Sequence, residues 1–152
     1  MKSLQLLTQT TDNAAPTVAR LTLGLVMFPH GAQMALGWFG GYGYSGTMGF
    51  FTDTMHIPAV FAFLAILAEF AGSLALIAGL FSRVAALGIF AVMTVAILAV
   101  HTSNGLFMNW YGNQKGEGFE YHLLALGLAL IVMIYGGGKA SLDTLIARRG
   151  NS

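Results

Sequence analysis

Residues 57–80 read IPAVFAFLAILAEFAGSLALIAGL, and every side chain in that run is apolar or small except Glu69 and Ser73. At 1.5 Å per residue the run has the length to cross a hydrocarbon core of about 30 Å. Lipid offers nothing to an unpaired backbone N–H or C=O, so a crossing segment of this kind must be a helix. A carboxylate halfway along it costs about 2.5–3.5 kcal/mol on insertion scales. Glu69 therefore needs a partner, a water-filled cavity, or a proton or ligand to handle.

Three further apolar runs accompany it. The four predicted helices cover about 18–39, 58–80, 84–100 and 119–136. Only Phe81-Ser82-Arg83 separates the second from the third, so these two form a tight antiparallel hairpin. The composition agrees: 56% of residues are hydrophobic and 9% charged, whereas soluble domains carry about 25% charged residues. Mean hydropathy is +0.71. The expected fold is all-α, an integral membrane four-helix bundle running up-down-up-down, with 1–152 as a single transmembrane domain. Small residues four apart (Ala68 and Gly72, Ala71 and Ala75, Ala125 and Ala129) let helix backbones approach closely.

Basic residues set the orientation. Lys2, Arg20, Arg83, Lys139, Arg148 and Arg149 fall on one side of such a bundle, and Lys115 on the other. Both termini are thus expected in the cytoplasm, with Trp38, Trp110, Tyr42, Tyr44 and Tyr111 in an outer aromatic belt. Arg20 and Arg83 read as topology anchors, with Arg20 also able to snorkel to headgroups. The mostly polar stretch 1–20 precedes an apolar run long enough to span, which predicts an uncleaved signal anchor. A net charge of +1 gives no support to nucleic-acid binding, and the absence of cysteine excludes disulfide, dithiol and thiolate-metal chemistry.

The remaining polar residues lie at two depths. Counted from the outer ends of their helices, His30 is about 13 Å down and Glu69 about 16 Å down. They share a level on consecutive antiparallel helices, which predicts a direct or water-bridged pair. Intramembrane ionisable residues are functional-site candidates, so His30 and Glu69 are the candidate catalytic pair; the alternative is a buried pair that fixes helix register. Nearer the outer rim come His101, Glu120 and His122 as candidate ligand-binding groups. Glu120 and His122 are two apart and point about 200° away from each other on a helix. The expectation is that Glu120 joins His101 at a shared opening and His122 turns outward. No sequence-local metal motif is present, so any metal ligands would have to come from several helices. The connections 40–56 and 102–118 are long enough to be functional or to cap the interface.

Phe28-Pro29-His30-Gly31-Ala32-Gln33, running on to Gly37-Trp38-Phe39-Gly40-Gly41-Tyr42-Gly43, resembles the first-helix signature of the DoxX family, small four-helix membrane proteins that are mostly bacterial. The similarity continues through Glu69-Phe70-Ala71-Gly72 and Gly79-Leu80-Phe81-Ser82-Arg83-Val84-Ala85-Ala86. It then takes in His101, Gly118-Phe119-Glu120-Tyr121 and Ser141-Leu142-Asp143. One departure is Met34, where similar members often carry lysine. The resemblance implies residence in the bacterial inner membrane and an association with redox metabolism. Some members resemble the membrane subunit of a thiosulfate:quinone oxidoreductase, and others are associated with oxidative-stress and thiol-homeostasis complexes. The implied function is a quinone-interacting or electron-transfer-associated subunit with an outer-facing polar pocket, a quinone being the cofactor to expect ahead of a metal. Its implied partners are the lipid bilayer and a redox subunit or a second copy of the chain. A non-enzymatic carrier or binding protein for a small molecule, lipid or metal, or a scaffold subunit, is the alternative.

Overall fold

The computed structural model describes residues 8–149, and these form helices and turns without strands. Asn13 starts the first long helix, its side chain accepting a 2.9 Å hydrogen bond from the Ala15 N–H, as an N-cap should. This helix, α1 (Ala14–Leu36), ends at Gly37 in the left-handed conformation, φ 73°. Pro29 lies inside it and removes one backbone donor. A 3₁₀ turn (Trp38–Gly40) leads to α2 (Gly43–Gly49), which continues as a π turn (Phe50–Thr54). Much of the connection 40–56 is therefore helical.

Pro58 precedes α3 (Ala59–Ala78), which stops at Gly79, φ 69°. Then come α4 (Ser82–Ala96), a π turn (Ile97–His101) and a 3₁₀ turn (Thr102–Asn104) as one continuous helical path. The chain returns through α5 (Glu120–Tyr135) and closes with the short α6 (Leu142–Arg149). Two stretches are long and apolar enough to cross a membrane, Ala59–Ala78 and Ser82–Asn104; α5 is apolar but shorter. Large apolar side chains such as Phe61, Leu87, Leu98, Leu124 and Ile134 are exposed around the outside.

Each of the four long helices packs against two others: α1 against α3 and α5, and α4 against α3 and α5. Inside them lies one apolar cluster that includes Leu23, Met27, Leu76, Ile89, Met93, Ala125 and Val132. Glycine sets the closest approach. A Cβ on Gly31 would fall 2.6 Å from the carbonyl carbon and oxygen of Glu69, and one on Gly24 3.0 Å from the Ser73 carbonyl oxygen. The backbones of α1 and α3 thus touch at the level of Glu69.

At the end of the molecule that carries the α3–α4 hairpin, side chains cap helix termini in trans. Arg20 is buried: its guanidinium donates to the carbonyls of Leu76, Ile77, Gly137 and Ala140 at 2.7–2.9 Å. It does not snorkel to headgroups, because carbonyls left over at the end of α3 and in the turn after α5 satisfy it inside the protein. Arg83 likewise reaches the carbonyls of Gln9 and Ile134, both at 3.0 Å. Asp143 does the converse, accepting from the Phe81 and Ser82 N–H groups at the start of α4, at 2.7 and 2.9 Å. Of the other basic residues, Lys139 and Arg148 lie at this end, whereas Lys2 and the side chain of Arg149 fall outside the described residues.

Candidate functional site

Along α3 the buried residues Ala62, Ile66, Glu69, Ser73 and Leu76 recur at three- and four-residue intervals, the inward stripe of a helix. Glu69 is therefore held on the inner face, with 8% of its surface exposed. Its carboxyl group makes no hydrogen bond or ion pair among the described residues. It lines a groove of about 760 Å³ between α3 and α4, walled at one end by Phe50, Phe51 and Met55. Glu69 is the ionisable side chain on that lining; every other residue there is apolar or glycine.

His30 is placed differently. The residue that α1 turns toward α3 is Gly31, and His30 itself is exposed. Among the described residues no hydrogen bond or ion pair joins His30 to Glu69. The levels match, since Gly31 packs on the Glu69 backbone, but the side chains do not meet head to head. Tyr121 of α5 stands next to both. Its ring is 6.2 Å from that of His30, and its phenol lies within electrostatic reach of the Glu69 carboxyl group. The hydroxyl donates to Met27 Sδ at 3.3 Å. Tyr121 was missed as a site residue; the signal available was its place one residue beyond Glu120, on a face that neither neighbour could share.

The orientation expected for helix four is reversed. His122 is buried, with 6% of its surface exposed, and its ring centroid is 4.1 Å from that of His101. Glu120 turns to the connection instead, where Oε1 accepts from the Met108 N–H and from Trp110 Nε1, both at 2.9 Å. The loop supplies the reason: it offers the carboxylate two donors that the apolar interior lacks.

The phase of α4 completes the arrangement. Ile89 and Met93 point inward, and α-helical spacing carries that face on to positions 97 and 100. The π turn inserts an extra residue, so Val100 is 42% exposed and His101 swings against His122. His101 Nδ1 sits 2.8 Å from the Glu117 carbonyl oxygen. A carbonyl only accepts, so Nδ1 carries the proton and Nε2 of the neutral ring is the acceptor. His122 Nδ1 is buried with no hydrogen-bond partner. Among the described residues, no three or more histidine, aspartate or glutamate side chains converge as they must to hold a metal ion.

The DoxX family model matches residues 15–102, more than half of the chain, a stretch that contains His30, Glu69 and His101. No curated protein and no solved structure matches the chain.

Proposed function

The chain belongs to the DoxX family of membrane proteins, and from that premise we propose that it is a quinone-interacting subunit of the bacterial inner membrane. Its four long helices then cross the bilayer as a bundle with both termini in the cytoplasm. The observation that carries the reading is Glu69, a residue 8% exposed whose carboxyl group makes no hydrogen bond among the described residues and lines an apolar groove. In an apolar groove the carboxyl group has no protein partner, and a ligand that supplies a hydrogen bond there is favoured over one that cannot.

The groove accepts an elongated apolar molecule along α3 and α4, and Glu69 selects a polar head at mid-depth. A protonated carboxyl donates one hydrogen bond to a ligand carbonyl; an ionised one accepts from a ligand hydroxyl. Bound there, a quinone takes up or releases electrons together with protons, and Glu69 holds a proton at the site of that exchange. The electrons come from a partner redox subunit. An apolar carrier would use the same groove, and redox turnover with a partner separates the two roles.

Binding of decylubiquinone to the purified protein in lipid nanodiscs tests this. Saturable binding is expected, weakened about tenfold or more in a folded Glu69→Leu variant, as befits one lost buried hydrogen bond. Glu69→Gln should retain more affinity than Glu69→Leu, because an amide still donates. Equal binding by wild type and Glu69→Leu would remove Glu69 from the site.

A further inference from the structure

The polar residues around Glu69 are distributed on one side of it only. Toward the end carrying the α1–α3 and α4–α5 connections, aromatic and imidazole rings follow one another. From Tyr121, the ring of His122 is 5.4 Å away, and His101 lies a further 4.1 Å on. His101 is hydrogen-bonded to the Glu117 carbonyl, in an exposed part of the connection. His30 flanks the series beside Tyr121, and His122 lies within electrostatic reach of both His101 and His30. Centroid spacings of this size put neighbouring rings in direct contact. His122 Nδ1 is buried there without a hydrogen-bond partner, so it is not committed to another group.

Toward the other end no such series exists among the described residues. Leu76, two turns beyond Glu69 and about 10 Å away, is fully buried together with Ile89 and Val132, and Leu23 is 1% exposed. Ser73, between them, is committed to the Phe70 carbonyl at 2.8 Å. The next charged groups, Arg20 and Asp143, are held by backbone carbonyls and N–H groups.

We infer that His101, His122 and Tyr121 form a one-sided proton path that connects Glu69 with water at the connection end of the molecule and not at the hairpin end. The step is a plain exchange: a proton leaves the Glu69 carboxyl group and one arrives at water beside His101, with the Tyr121 hydroxyl, turned from Met27 Sδ, and the two imidazoles each taking one proton and giving one. Histidine suits the role because it exchanges protons near neutral pH. Of the ionisable groups packed nearby, Tyr121 from α5 lies within electrostatic reach of Glu69, His30 from α1 stands beside Tyr121, and α4 contributes His101 only at its far end.

The inference rests on Glu69 as the working group of the proposed site, but its test needs no quinone. Dicyclohexylcarbodiimide modifies a membrane carboxyl group in its protonated form, and mass spectrometry counts the adduct, with Glu69→Gln as the unlabelled control. In proteoliposomes of uniform orientation, a pH step is imposed on one side at a time. Labelling of Glu69 is expected to follow the pH at the connection end and to ignore the pH at the other. Dependence on the other end, or on both equally, overturns one-sided access. In His122→Gln, which keeps a polar group of similar bulk, the labelling response is expected to slow by about a hundredfold, the lower range for loss of a proton-transferring side chain. An unchanged response in that folded variant overturns the histidine path. If side-dependent labelling survives while decylubiquinone fails to bind, the ligand assignment falls and the path stands.

Discussion

Glycine at position 31 is what allows the backbones of α1 and α3 to meet at the level of Glu69. A methyl group there meets backbone, which cannot swing aside. Gly31→Ala is therefore expected to lower stability by about 1–3 kcal/mol, the usual cost of overpacking, read as a drop in thermal unfolding temperature in detergent. Gly24→Ala should cost less, because one of its contacts at 3.0 Å is the Ile77 side chain. Arg20 offers a second test. Arg20→Met strands the carbonyls of Leu76, Ile77, Gly137 and Ala140 and should cost at least about 3 kcal/mol, given about 1.5–3 for each hydrogen bond to a charged group. Arg20→Lys should fall between, since an ammonium lacks the planar fork that reaches both carbonyl pairs. The buried position of Glu69 on α3 was legible in the sequence, because one carboxylate in an apolar run is visible without coordinates. The choice between Glu120 and His122 was not: a 200° separation says that they diverge but leaves open which one enters. That was decided by Met108 and Trp110, from a connection whose path no periodicity describes.

At the scale of elements, the second and fourth predicted helices lie within two residues of α3 and α5 at each end, because Pro58, Gly79 and Gly136 mark their limits chemically. The first helix begins earlier, at Ala14, where the Asn13 cap starts it ahead of the long apolar run. The π turn at the end of α4 leaves no mark on hydropathy, so the inward swing of His101 could not be read from spacing. Nor could α6, whose role depends on contact with a distant element. Its Asp143 caps α4 across 61 and 62 residues of sequence. Loss of an N-cap costs about 0.5–2 kcal/mol, and Asp143→Ala should show a destabilisation in that range by thermal unfolding. Asp143→Asn should retain part of the cap, since one side-chain oxygen still accepts.

For the whole molecule, the distribution of basic residues gives an orientation that cysteine labelling checks directly, as the chain has no native cysteine to interfere. With an impermeant maleimide on intact cells, Lys115→Cys is expected to react. Arg148→Cys is expected to react only after the membrane is opened. Labelling of Arg148→Cys from outside would invert the topology and place the Glu69 proton path on the cytoplasmic side. The cap that Asp143 places on α4 also imposes an order on biosynthesis. The α3–α4 hairpin leaves the ribosome about sixty residues before its capping carboxylate, several seconds at typical rates of synthesis. Through that interval the Phe81 and Ser82 N–H groups must rely on water at the membrane surface. A nascent chain stalled before residue 143 therefore holds every long helix and still lacks the clasp on the start of α4.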